Sequence, residues 1–323
     1  MTASAPPAAE EFTPDPEPSA VADAAGYRTL LERLSHQSVA KHYAAYADIP
    51  WDDPAFALIA NDSRFELSPH DPIGATTWYR GLHPAERARF GLELIASFAK
   101  IGSNFENVLQ RGLLEFALRL PNGAPEYRYC LHEVIEEGQH SLMFQEFVNR
   151  SGVPASGMPR WMEIGSRAVV RSARVFPELF FLFVLGGEDP IDYVQREHLR
   201  TDQFPHPLLR RISHIHITEE ARHLAFARAY LRRHVPKLGR FRKMLLSLRT
   251  PILLGQMARM MLQPTPAMIR RYGIPKTVLR EAYGSDAARA QRAAALRKPR
   301  ELCAELGILR PPFDRLWKRM GIC

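Results

Sequence analysis

Two short stretches share one spacing, and they limit what this chain can fold into more than any other feature. Glu137-Gly138-Gln139-His140 and Glu220-Ala221-Arg222-His223 each read Glu-x-x-His. An α-helix turns about 100° per residue, so side chains three or four apart share a face. The second copy carries a further histidine, His216, four residues before Glu220 and on the same face. One such motif on a charged helix is ordinarily a solvated surface. Two of them, on separate helices, are what a carboxylate-bridged dimetal site in a four-helix bundle requires.

The remaining sequence has to supply that bundle. The 323 residues are 46% hydrophobic, enough for a sizeable core. Apolar residues recur mostly at three- and four-residue spacing, so the expected fold is all-α. Prolines mark the helix starts. Pro84 opens a helix expected to run to about 120, and Pro125 opens one to about 150, before Gly152. A third begins at Pro159, breaks at Pro177, kinks at Pro190 and ends near 200. The fourth spans about 207–234. An N-terminal helix is expected over 24–46, with Leu30, Leu31, Leu34, Val39 and Tyr43 facing inward. Residues 48–82 hold Trp51, Phe56, Phe65, Trp78 and Tyr79, and read as an irregular wrap over a core.

Three regions result. Residues 1–22, with Pro6, Pro7, Pro14, Pro16 and Pro18 among small and acidic residues, read as a disordered tail. Residues 23–235 form the bundle and its wrap. Residues 236–323 form a basic helical extension packed on the bundle, with pieces over 237–262, 266–272, 275–283 and 286–298. The net charge of +8 conceals an asymmetry: from Arg228 onward there are 22 Lys and Arg against 5 Asp and Glu. Solvated arginine faces are the simplest account. A membrane-surface contact by 245–262 competes with it, as does attraction of an acidic substrate or redox partner. Nucleic acid is excluded, because no recognition motif or aromatic interleaving accompanies the charge.

Other features bound the compartment. Cys130, Cys303 and Cys323 form no Cys-x-x-Cys pair, which argues against a disulfide framework and for a reducing, cytoplasmic setting. The N-terminus lacks a basic segment followed by an apolar run, so no signal peptide is expected. The most apolar run, 179–185, is far shorter than the roughly 20 residues a bilayer span takes.

Two further carboxylates are needed for the site. On the helix from Pro84 the candidates are Glu93, Glu106 and Glu115. Glu106 sits mid-helix beside Phe98, Phe105 and Leu109, with the other two on the opposite face. An unpaired charge in that setting is costly, and a metal removes the cost. The third helix offers Glu178, Glu188, Asp189, Asp192 and Glu197. Glu188 is favoured, because it follows the apolar run and Gly186-Gly187 leave room beside it. Asp189 remains its rival, since periodicity cannot separate adjacent acids. Mixed carboxylate and imidazole donors suit iron or manganese better than structural zinc. His216 is then a seventh ligand or a donor to one.

Around this set, Glu133 lies one turn before Glu137, and Gly102 and Ser103 one turn before Glu106. They are candidates for a supporting or pocket role. Tyr127 and Tyr193 could donate to a substrate or ligand. Met143, Phe144 and Phe147 read as packing residues, and Cys130 as an inert buried thiol.

Over roughly 85–235 these residues resemble one family. Glu106, Glu137-x-x-His140, an acid on the third helix, and His216-x3-Glu220-x2-His223 are similar to the AurF family of ferritin-like diiron oxygenases. The flanking His132-Glu133-x-x-Glu136-Glu137-x-x-His140-Ser141-Leu142-Met143-Phe144 matches that family's second-helix signature, and the extra His216 is the feature generic ferritins lack. The resemblance implies a ferritin-like bundle with Glu106, Glu137, His140, Glu220 and His223 as iron ligands and His216 as an additional one. Glu188 is the third-helix assignment, with Asp189 as its alternative. It also implies two iron ions, which manganese can replace in part or whole, O₂ as co-substrate, and oxidation of a small molecule, foremost an amine nitrogen. Hydroxylation or desaturation of another small molecule is the alternative, with iron handling behind it. An external electron donor is expected, since no flavin, nicotinamide or Fe–S motif is visible, and a homodimer is compatible with the chain.

Overall fold

A computed structural model describes residues 23–201 and 206–322. The expected tail over 1–22 and Cys323 lie outside the described residues. Within them there are thirteen α-helices and no strand: α1 (Ala24–Ala40), α2 (Thr77–Arg80), α3 (Pro84–Ala117), α4 (Pro125–Ser151), α5 (Arg160–Val175), α6 (Pro177–Arg200), α7 (Pro207–His234), α8 (Arg240–Leu262), α9 (Pro266–Arg271), α10 (Lys276–Gly284), α11 (Asp286–Ala295), α12 (Arg297–Glu305) and α13 (Asp314–Arg319). The fold is all-α, as the periodicity requires.

The four long helices begin where proline tolerates the loss of an N–H. Pro84, Pro125, Pro177 and Pro207 each stand in the first turn. A reciprocal pair of hydrogen bonds between His83 and Glu86 caps α3. At the end of α4, Gly152 takes a left-handed conformation with φ 61°, which costs glycine little. The third predicted helix is two helices. The chain breaks at Phe176 (φ −151°, ψ 66°), and α6 then continues through Pro190.

Two hairpins make the bundle. α3 packs along α4 and α6 along α7, and the hairpins meet through α3 with α6 and α4 with α7. α5 fills against α3 and α6, and α1 against α4 and α7. α1 is shorter than expected and leaves Val39 55% exposed, while Tyr27, Leu30, Leu31 and Leu34 are buried. The chain turns extended at Lys41 because the next residues have other partners. The Tyr43 N–H donates to Glu219 (3.1 Å) and the Ala45 N–H to Gln139 (2.8 Å).

The C-terminal helices join the same apolar core. Leu246, Leu254, Met257 and Trp317 are clustered with Phe181 and Leu185 of α6. The helix expected over 286–298 ends at Ala295, and α12 follows it, burying Leu302 and Cys303. α8 buries Leu246, Leu254 and Met261 and leaves Phe241, Met244, Leu248 and Ile252 exposed. Among the described residues no helix is long and apolar enough to cross a membrane.

The wrap over 48–82 is anchored on α3. Phe65 is buried, and the Tyr79 hydroxyl accepts from the Leu67 N–H (2.8 Å) and donates to the Arg87 carbonyl (3.1 Å). The wrap approaches so closely that a Cβ on Gly91 would lie 1.7 Å from the Phe65 carbonyl oxygen. Gly91→Ala should therefore destabilise the protein by about 1–3 kcal/mol in urea denaturation. Gly165→Ala, on α5 with nothing within 4 Å, should instead stabilise it by about 0.5–1 kcal/mol. Equal midpoints for the two variants would contradict the close wrap.

Candidate metal centre

α4 and α7 each turn one Glu-x-x-His into the bundle axis. The Nδ1 of His140 lies 3.1 Å from Glu137 Oε2 and 3.3 Å from Glu220 Oε1. The Nδ1 of His223 lies 3.1 Å from Glu137 and 3.1 Å from Glu220. The two carboxylates thus sit between the two imidazoles. His216 adds its Nε2 at 3.7 Å from Glu106, 3.9 Å from Glu188 and 3.8 Å from Glu220. Ligand atoms of Glu106, Glu137 and Glu188 fall within 4.8 Å of one another, and so do those of Glu188, His216 and Glu220. All seven residues are buried. Four helices therefore deliver four carboxylates and three imidazoles to one point.

The imidazoles are held by residues that the spacing argument left without a role. Glu137 and Glu220 are each preceded by a second glutamate, and that second one bonds the histidine of the other helix. Glu136 of α4 lies 2.7 Å from Nε2 of His223, and Glu219 of α7 lies 2.9 Å from Nε2 of His140. A carboxylate accepts, so each Nε2 carries a proton, and each Nδ1 is turned toward Glu137 and Glu220, whose carboxylates outweigh burial and hold both imidazoles well above their ordinary range; a metal would take the place of the Nδ1 proton. Arg222 lies between the two braces, 2.8 Å from Glu136 and 3.6 Å from Glu219. His216 is oriented the other way round. Its Nδ1 donates to Gln195 (2.9 Å), which leaves Nε2 for the site. The repeated Glu-Glu-x-x-His was the available signal for Glu136 and Glu219. No spacing rule pointed to Gln195, which reaches His216 from α6.

The electrostatics call for cations. Burial, and then the neighbouring carboxylates, push Glu106 and Glu188 well above the ordinary carboxylate range. Burial also opposes charge on Glu220, but His223 outweighs it and brings Glu220 down to about 2. His216 is held down to about 4 by burial. Glu106 Oε2, Glu188 Oε1 and Glu220 Oε2 are buried without a hydrogen-bond partner. Buried carboxylate oxygens without a hydrogen bond, gathered with imidazole nitrogens that a metal can take in exchange for a proton, fit divalent metal ions with mixed O and N coordination.

Other sequence candidates have other settings. Asp189 forms an ion pair with Arg228, and Glu93 with Arg271. Tyr272 also donates to Glu93 (3.0 Å). Asp192 pairs with Arg196 (2.7 Å). Glu133 is buried one turn from Glu137, with both oxygens lacking a hydrogen bond, and is within ligand reach of Glu137 and His223. Tyr127 is 53% exposed. Gly186 and Gly187 do not leave room for a ligand: a Cβ there would strike Leu254 and Met257, or the Phe105 ring, so these glycines admit packing side chains.

A cavity of about 360 Å³ opens onto Glu106, Glu188 and His216. Gly102 and Tyr193 line it together with Phe144 and Phe147, whereas Ser103 is half-buried and does not. A Cβ on Gly102 would approach Phe144 to 3.3 Å, so that glycine both borders the cavity and admits the ring.

Residues 24–307 match the family model described as p-aminobenzoate N-oxygenase AurF. The chain belongs to the AurF family. Family members are diiron-dependent oxygenases. The chain is also similar to the uncharacterized proteins Mb0909 of Mycobacterium bovis and Rv0885 of Mycobacterium tuberculosis. Each is 38% identical over 299 residues, covering 92% of this chain and 88% of the relative. No solved structure matches it.

The Arg222 bridge allows a direct test. Arg222→Gln strands two buried carboxylates and should cost about 3–5 kcal/mol in denaturant unfolding. Arg297→Gln breaks an ion pair that is more than half exposed and should leave the midpoint unchanged. A similar small effect from both would show that Arg222 does not neutralise Glu136 and Glu219.

Proposed function

We propose that this chain is a non-haem diiron oxygenase that uses O₂ to oxidise the nitrogen of a small, foremost aryl, amine. Glu106, Glu137, His140, Glu188, His216, Glu220 and His223 are the proposed ligands, with Glu137 and Glu220 standing between the imidazoles of His140 and His223. The observation that carries the reading is a cluster of seven buried donor side chains, three of which, Glu106, Glu188 and His216, line one end of a largely apolar cavity. A ferroxidase or storage protein needs no such organic-sized chamber, so the cavity favours an oxygenase over iron handling.

When bound, the iron pair supplies binding and reduction of O₂. The chain's own residues set the conditions for it. Glu136 and Glu219 accept from Nε2 of His223 and His140 and so turn each Nδ1 to where it would hold a metal, and Gln195 does the same for Nε2 of His216. Phe105, Phe144 and Phe147 exclude water from the chamber. Converting an amine to a hydroxylamine places one oxygen atom in an N–H bond and releases the other as water. That balance requires two electrons and two protons, hence an external reductant, for which an electron-donor protein is proposed.

Elemental analysis tests the site. Wild-type protein should hold about two irons, and Glu137→Ala or His223→Ala should lose most of them. Equal iron in all three would refute the ligand set. Glu136→Gln and Glu219→Gln should weaken metal affinity by about 10–100-fold while the helical signal is retained. Chelation of wild type should lower its melting temperature, since a ligand that binds only the folded state stabilises it. For the reaction, reduced protein mixed with O₂ and aryl or alkyl amines should give products heavier by one oxygen atom. Turnover of a hydrocarbon chain without any amine oxidation would move the reading to a hydroxylase or desaturase.

A further inference from the structure

The cavity carries an inference about what enters it, one that rests on the oxygenase reading. Its inner wall is apolar: Phe98, Phe105, Phe144, Phe147, Ile191 and Val194 face it. Polar groups gather at the base, where Glu106, Glu188 and His216 stand, with Gln195 and Ser213 beside them. Among the described residues the only Lys or Arg on the lining is Arg64. Arg64 lies where the lining reaches solvent, its side chain 38% exposed, and it is engaged by Asp62 at 2.6 Å. Of the other acidic groups on the lining toward solvent, Glu66 pairs with Arg87 (2.8 Å) and Glu197 with Arg200 (2.9 Å), while Asp71 accepts the N–H groups of Ile73 (2.8 Å) and Gly74 (3.0 Å).

An anionic substituent would therefore meet no lysine and no unengaged arginine among the described residues of the lining; of the histidines there besides His216, burial holds His198 down to about 4, and His70 stands exposed at the solvent end. Taking a carboxylate out of water without a partner is among the costliest burials. The base would give no relief, since four ligand carboxylates would balance the charge of two divalent metal ions. A molecule with one nitrogen end and an uncharged body matches the lining at both ends. The volume, about 360 Å³, is that of a small-molecule site.

We propose that the substrate is a mostly apolar amine with no carboxylate, sulfonate or phosphate, bound with its nitrogen toward Glu106, Glu188 and His216. The chain thereby departs from p-aminobenzoate, the acid in the description of its family.

The test is a matched pair of ligands of similar size, 4-ethylaniline and 4-aminobenzoate. Binding of each to iron-loaded protein is measured by equilibrium dialysis and thermal shift near pH 7.5, and iron content is determined in the same samples. 4-Ethylaniline should bind at least about tenfold more tightly than the acid. Ala99→Phe and Ile95→Phe, which narrow the cavity away from the proposed ligands, should abolish that binding and retain the iron. Equal or tighter binding of 4-aminobenzoate overturns the inference. So does absence of binding by both ligands, or undiminished 4-ethylaniline binding by either folded variant. Protein that takes up no iron fails the oxygenase reading instead, so the two failures are told apart.

Discussion

The structure depends on how a crowd of buried negative charge is neutralised. Glu106, Glu133, Glu136, Glu137, Glu188, Glu219 and Glu220 are all buried within one bundle. Such a cluster cannot be ionised in an apolar interior without compensation. Arg222 compensates Glu136 and Glu219. Of the remaining five, Glu133 has no hydrogen bond at either oxygen, and the four ligand-type carboxylates have only imidazoles beside them, two of which are already committed at Nε2. The polar half of the core is therefore arranged around positive charge that the polypeptide does not supply. The apolar half, from Tyr27 through Phe181 to Trp317, holds the helices in place to present it.

Much of this was legible in sequence because it is local. A proline at the start of a helix acts within one turn, so α3, α4, α6 and α7 begin where Pro84, Pro125, Pro177 and Pro207 required. The two Glu-x-x-His motifs are equally local, since their spacing alone sets a common face. What could not be read were features in which a neighbour decides. α1 stops at Ala40 because Tyr43 and Ala45 donate to Glu219 and Gln139, which no pattern within 24–46 announces. Gly186 and Gly187 read as space beside Glu188, yet Leu254, Met257 and Phe105 occupy that space from α8 and α3. Glu188 and Asp189 are inseparable by periodicity and differ in their partners: Arg228 reaches Asp189, while Glu188 stands near His216 and Glu220.

The doublet Glu-Glu-x-x-His shows how a local repeat becomes a tertiary constraint. Within one helix, the first glutamate of the doublet stands four residues before its own histidine, on nearly the same face. It nevertheless bonds the histidine of the facing helix. Glu136 holds His223 and Glu219 holds His140, so the braces cross between α4 and α7. Neither histidine is oriented unless both helices are in register. A slip of one residue along either helix would part both hydrogen bonds and misplace Arg222 as well. Assembly of the donor set is thus tied to correct packing of the two hairpins.

The crossed braces are nearly symmetric, and His216 breaks the symmetry. It occupies α7 one turn before Glu220, and no histidine occupies the corresponding place on α4, where Glu133 stands. His216 and Phe144 have ring centroids 5.2 Å apart, and both line the cavity. Glu133 lies on the other side of the donor cluster and lines no part of it. The additional imidazole therefore stands at the face open to small molecules, and the additional carboxylate at the closed one. An uncharged donor suits the open face, because it adds a bond to a metal without adding a negative charge that would bind or repel an incoming amine according to its protonation. The choice of histidine at 216 and glutamate at 133 gives the bundle a front and a back.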